Sequence, residues 1–144
     1  MLFERQVARK PDLYPWTKDY KLAMWNNPWH AGKFTFESDL VDFKLRLTDD
    51  ERRMVTRALS ALAQIEVAVK TFWGRLGDWL PHPSIAGLGT VMAGIEEIHN
   101  DAYEKLLEVL DMEDIFIENL KVPALAGRVA YLNKHNQNVY SDDR

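Results

Sequence analysis

The sequence lacks cysteine, an excess of basic residues and any long apolar run. Without cysteine among its 144 residues, disulfides, thiolate metal sites and cysteine nucleophiles are excluded. The formal net charge of −4 provides no basic surface for phosphate backbones. No stretch approaches the roughly 18 apolar residues of a membrane span, and the first 16 residues have no signal-peptide core. We therefore expect a cytoplasmic protein that binds neither nucleic acid nor membrane.

The composition fits one compact unit, since 47% of the residues are hydrophobic. Residues 1–47 combine several prolines with many aromatic side chains, which indicates an N-terminal lead-in that covers an apolar surface. We predict one short helix in this lead-in, within residues 17–27. Residues 48–144 form the helical part of the chain.

A first long helix is predicted from its start signal and its apolar spacing. Thr48 is a suitable N-cap, and Glu51 completes a capping box three residues later. The helix should run to about Trp73 and end at Gly74 and Gly77. Apolar residues recur at steps of three and four and predict one buried stripe. They are Val55, Leu59, Leu62, Ile65, Val69 and Phe72.

A second long helix follows a predicted loop over residues 74–83. We expect Ser84 to cap this helix. Its apolar side carries Ile85, Leu88, Met92, Ile95, Leu106 and Leu110. Residues 111–120 suggest a short helix or turn, and Pro123 fits the first turn of a helix that runs to about Asn136. No strand pattern is found, so the predicted fold class is all-α.

Polar residues interrupt the apolar faces of both long helices. Glu96, His99 and Tyr103 stand at i, i+3 and i+7, on one face of the second helix. Glu66 lies within the apolar stripe of the first. A buried carboxylate without a partner costs several kcal/mol, and Glu-x-x-His with a glutamate from a neighbouring helix is half of the ligand set of di-iron and di-manganese bundles. Glu66, Glu96 and His99 are therefore candidate metal ligands.

Each of these residues also has an ordinary interpretation. Glu-x-x-His by itself is a weak motif, because most histidines in proteins bind no metal. Glu66 alone is compatible with pairing to a core lysine or arginine, and Tyr103 alone with a core tyrosine whose hydroxyl is hydrogen-bonded. The combination on two apolar faces favours a metal site.

Three segments carry a resemblance to a known family: SALAQIEVAVKTFWG, GIEEIHNDAY and VPALAGRVAYLNKHNQNVYSDDR. Together they resemble the radical-generating small subunit of class I ribonucleotide reductase. The resemblance implies a ferritin-like helical bundle, of which this chain would be the N-terminal half, with residues 48–144 as the helical half of the di-metal domain. It also implies that Glu66, Glu96 and His99 bind the metals.

The resemblance further implies a reaction and its partners. Tyr103 would hold the stable radical, and Trp29 would relay electrons, with Trp25 as a close competitor. The cofactor would be two iron ions, manganese, or a mixed pair, which activates O₂ and oxidises the tyrosine. The radical would pass to a large subunit that reduces ribonucleotides to deoxyribonucleotides, and the small subunits would form a dimer.

The chain departs from the family pattern in its second half. A second carboxylate and a second Glu-x-x-His are needed, but His135 follows Leu132 and Tyr131 at i−3 and i−4. We therefore expect a second polypeptide to carry the missing ligands, as in a split protein; the alternative is that the chain is a fragment. Two other functions stay open: a ferritin-like di-iron oxidase or oxygenase component, and a metal-free helical assembly module.

Overall fold

The computed structural model describes residues 2–138. The helices are α1 (Thr17–Trp25), α2 (Glu37–Leu45), α3 (Asp49–Gly74), α4 (Leu76–Trp79), α5 (Pro83–Val109), α6 (Glu113–Asn119) and α7 (Pro123–Asn138), with a 3₁₀ turn over Ala31–Lys33. No strand occurs in this part of the chain, which confirms the all-α prediction. None of these helices combines the length and apolar character needed to cross a membrane.

Helix α3 begins with the predicted capping box. The Thr48 hydroxyl accepts a hydrogen bond from the Glu51 amide at 3.3 Å, and the Glu51 carboxylate accepts one from the Thr48 amide at 2.9 Å. The predicted stripe is wrong at Leu62, which is 42% exposed. The most buried residues of α3 are instead Thr56, Ser60 and Ala63, because small residues allow close packing there. The Ser60 hydroxyl accepts a hydrogen bond from the Asn119 amide in α6 at 3.0 Å.

The start of α5 differs from the prediction. His82 is the N-cap, because its Nδ1 accepts the Ser84 amide hydrogen at 3.1 Å. Ser84 is buried, and its hydroxyl donates to Asp12 Oδ1 at 2.7 Å. Ser84 therefore links the N-terminal lead-in to α5 through this hydrogen bond and does not cap the helix. The predicted loop over residues 74–83 contains the short helix α4.

The pairing of Asp12 with Ser84 predicts a pH-dependent contribution to stability. The Ser84 hydrogen bond, together with Lys18 at 3.1 Å and the Tyr14 amide, lowers the pKa of Asp12 from 3.8 to about 2. Because the folded-state pKa is the lower one, the stabilisation is fully present above pH 3.8 and is lost as pH falls towards 2. Asp12→Asn should therefore lower the free energy of unfolding near neutral pH, and the difference from wild type should shrink in acid.

Denaturant unfolding at a series of pH values measures this difference. Asp19→Asn, an exposed substitution in α1, is the matched control and should leave stability nearly unchanged at every pH. A difference between wild type and Asp12→Asn that stays constant down to the acid limit would contradict the assignment.

Helix α2 lies in the lead-in, where the sequence predicted no helix beyond residue 27. Its nine residues have no apolar stripe and no side-chain N-cap, since Phe36 occupies the cap position with a left-handed φ of 57°. Long-range contacts fix it instead. Phe43 of α2 is buried in the main core with Ala63, Leu107, Leu110 and Met112. The Arg52 guanidinium of α3 donates to the main-chain carbonyls of Phe43, Lys44 and Leu47.

Helices α3 and α5 pack against each other in antiparallel directions. Glu66 of α3 is near His99 of α5, whereas Trp73, seven residues later in α3, is next to Gly89, ten residues earlier in α5. A Cβ added at Gly89 would lie 2.6 Å from the Trp73 carbonyl oxygen, so glycine is required for this close approach. The antiparallel packing of α3 and α5 brings Glu66, on the apolar face of α3, close to His99, on the apolar face of α5.

Candidate metal centre

Glu66, Glu96 and His99 meet between α3 and α5. His99 Nδ1 is 2.9 Å from Glu96 Oε2 and 3.8 Å from Glu66 Oε2. One ligand atom from each residue lies within 4.8 Å of the others. The carboxylate side chains are 15% and 13% exposed, and the imidazole is 36% exposed. The structure therefore brings the predicted ligands together, although His99 is more open than the sequence indicated.

The electrostatics of this cluster fit a cation. Burial raises the pKa of Glu66, and the hydrogen bond and negative charge of Glu96 raise it further, while His99 opposes the change. Two carboxylates packed together repel each other unless one takes up a proton or a cation binds between them. Carboxylate and imidazole groups without a thiolate suit iron and manganese. The donor set therefore fits the di-metal group that the sequence suggested.

Tyr103 lies beside the cluster in an open cleft of about 330 Å³. The cleft is lined by Trp29, Phe36, Glu66, His99, Ala102, Tyr103 and Leu106. Burial raises the pKa of Tyr103, and the charge of Glu66 adds to the effect. The phenol therefore keeps its proton at neutral pH.

The two candidate tryptophans occupy different environments. The Trp29 ring stacks on the His99 imidazole, with centroids 5.6 Å apart and an interplanar angle of 26°. Trp29 and Phe34 pack edge to face, with ring centroids 5.9 Å apart. Trp25, at the end of α1, is 59% exposed. The geometry therefore favours Trp29 as the tryptophan coupled to the candidate site.

Two residues near the site were not singled out from the sequence. Phe36 lines the cleft beside Tyr103 and stacks on Phe34 with centroids 5.8 Å apart. Lys105 donates to the main-chain carbonyls of Ala31 and Phe34, which precede it by 74 and 71 residues. No local pattern reveals such distant contacts. The only signal for Lys105 is its place two residues after Tyr103.

Comparison with known proteins identifies the family. The sequence matches the family model described as ribonucleotide reductase, small chain, over residues 8–143. It is also 28% identical over 142 residues to the probable ribonucleoside-diphosphate reductase small subunit 376L of Invertebrate iridescent virus 6. That alignment covers 94% of this chain but 37% of the viral protein, so the chain spans little more than a third of its relative's length. The all-helical architecture agrees with the ferritin-like fold of the family. The chain therefore belongs to the ribonucleotide reductase small-chain family.

Proposed function

We propose that this chain provides half of the di-metal carboxylate site of a ribonucleotide reductase small subunit. The observation that carries the proposal is the convergence of Glu66, Glu96 and His99 within 4.8 Å in a member of this family. The known ligand set of such bundles has one glutamate from each of two helices and a Glu-x-x-His from each of two others. Glu66 and the Glu96/His99 pair supply one member of each kind.

The bound metals would be two iron ions, two manganese ions or one of each. When bound, the pair supplies one-electron oxidising power that no protein side chain possesses. Glu66, Glu96 and His99 would hold the metals. Phe36 and Leu106 provide apolar cover in the cleft beside Tyr103.

Tyr103 is the residue that we propose to carry the radical. Its ring lines the same cleft as Glu66 and His99. A tyrosine phenol is protonated at neutral pH, and burial and the Glu66 charge raise its pKa further. Oxidation therefore has to remove a proton together with the electron. Glu66 lines the same cleft and is a candidate to receive that proton.

Trp29 is the residue that we propose to relay electrons. Its indole stacks directly on the His99 imidazole, so it offers a short path from the cluster towards the surface. In this proposal the radical passes through it to a large subunit that reduces ribonucleotides to deoxyribonucleotides.

The missing ligands are proposed to come from a second polypeptide. Of the four histidines in the sequence, only His99 has a glutamate three residues before it. The chain therefore supplies a single Glu-x-x-His. We propose that a partner chain with the second carboxylate and the second Glu-x-x-His completes the site, and that the completed small subunits pair as a dimer.

Removal of the ligand charges tests the metal site. Glu66→Gln and Glu96→Gln keep the side-chain shape but remove the anion, so each should weaken Mn²⁺ binding by more than about tenfold. Calorimetric titration of the full chain with Mn²⁺ measures the affinity. Glu97→Gln is the matched control, because Glu97 is exposed next to Glu96 and pairs with Lys70 instead. Equal affinity in all three variants would show that the cluster binds no metal.

A further inference from the structure

Lys105 of α5 hydrogen-bonds to the main chain of the segment that carries Trp29. The Lys105 ammonium donates to the Phe34 carbonyl at 2.6 Å and to the Ala31 carbonyl at 3.3 Å. These two carbonyls stand at the start and just after the end of the Ala31–Lys33 turn. Within residues 2–138, Lys105 forms no ion pair with a carboxylate. Its charge is therefore directed at the main chain of this turn.

Apolar burial contributes little to the attachment of this segment. Trp29 and Ala31 are half-buried, but Pro28, His30 and Lys33 are exposed, and Phe34 is 46% exposed. A segment with so few buried side chains depends on its hydrogen bonds and on the stack against His99 for its position. Hydrogen bonds from an ammonium are stronger than neutral ones, so Lys105 should have a large share in holding the segment.

The turn is also braced internally. The Lys33 ammonium donates to the Pro28 carbonyl at 2.9 Å, and the Phe34 amide donates to the Ala31 carbonyl at 3.2 Å. The backbone on both sides of Trp29 is therefore connected to the carbonyls that Lys105 binds. A change at Lys105 should move the indole with the turn, whereas His99 stays on the same rigid helix as Lys105.

We infer that Lys105 is a positioning residue that sets the stacking of Trp29 on His99. Only the expected effect on electron relay rests on the proposed function, because relay through Trp29 requires the stack on His99. The geometric part stands by itself. Lys105 touches neither the candidate ligands nor Tyr103 through any hydrogen bond, so it acts on the site through Trp29.

Fluorine NMR of the full chain labelled with 5-fluorotryptophan tests the geometric part without metal. The chain has five tryptophans, and Trp29→Phe identifies the Trp29 signal. In Lys105→Met this signal should shift towards that of an exposed indole, while the other four stay in place. Lys105→Arg, which retains a charged donor, should restore most of the wild-type shift. Lys121→Met, an exposed substitution between α6 and α7, is the matched control and should change nothing.

The outcomes separate this inference from the proposed function. An unchanged Trp29 signal in Lys105→Met would overturn the inference, whatever the protein does with metals. Movement of all five signals in both Lys105→Met and Lys105→Gln would also overturn it, because Lys105 would then support the whole fold. If the Trp29 signal shifts as expected but the wild-type chain binds no Mn²⁺ even in complex with a partner that carries the remaining ligands, the positioning role stands and the proposed metal function fails.

Discussion

Replacing Tyr103 with phenylalanine should abolish the tyrosyl radical and ribonucleotide reduction, while folding and metal loading remain close to wild type. The substitution removes only the phenolic oxygen and keeps the ring that packs beside the main core. Phenylalanine has no O–H group to lose as a proton, so its one-electron oxidation is far less favourable. We therefore expect complete loss of the radical signal and of activity rather than a partial decrease.

Electron paramagnetic resonance of the reconstituted small subunit, after addition of metal, reductant and oxygen, measures the radical. Metal content and thermal unfolding should be measured on the same samples. Tyr131→Phe is the control, because Tyr131 in α7 is 63% exposed and lies outside the cleft. It should keep both signal and activity. If Tyr103→Phe keeps both, Tyr103 is an ordinary core tyrosine, and a radical stored on the metals takes its place. If the wild type has no radical but consumes oxygen, an oxidase or oxygenase is favoured.

The clustering of the candidate ligands was predictable because the sequence signals for it are local. Glu96, His99 and Tyr103 share a face through the helical repeat alone, and Glu66 sits at a regular step in the apolar pattern of α3. The capping box at Thr48 fixed the start of α3 for the same reason. The position of these residues on apolar faces also indicated that the two helices pack against each other at this level.

The features that sequence reasoning missed depend on contacts between distant residues. Helix α2 has no stripe of its own and is held by Arg52 and by the burial of Phe43. His82 rather than Ser84 caps α5, because the Ser84 hydroxyl donates a hydrogen bond to Asp12, 72 residues away. Exposure of Leu62 likewise follows from the rotation of α3 towards its small residues. Each of these three features depends on which residues of other segments pack against the helix.

The stack of Trp29 on His99 belongs to the same group of features. The sequence left Trp29 and Trp25 as competitors, since both precede the first long helix among many aromatic residues. In the structure, the stack of Trp29 on His99 and the 59% exposure of Trp25 distinguish them.

Tight binding of two metal ions should require a second polypeptide. Glu66, Glu96 and His99 make three protein ligands, and His99 is 36% exposed beside an open cleft. Two metal ions roughly 3.5 to 4 Å apart need bridging and terminal ligands on both sides. The chain alone should therefore bind metal weakly, with at most one ion per chain. Together with a polypeptide that carries a further glutamate and a second Glu-x-x-His, it should bind two ions tightly.

Native mass spectrometry, combined with metal analysis of the same samples, counts chains and ions together. A partner with its own Glu-x-x-His changed to Gln-x-x-Ala is the matched control, since it should still assemble but lose the second ion. A complex that forms yet gains no metal would show that assembly does not complete the site. Two tightly held ions in the chain alone would contradict the prediction more directly. In that case further ligands would have to come from residues of this chain that the present assignment leaves out, or from a second copy.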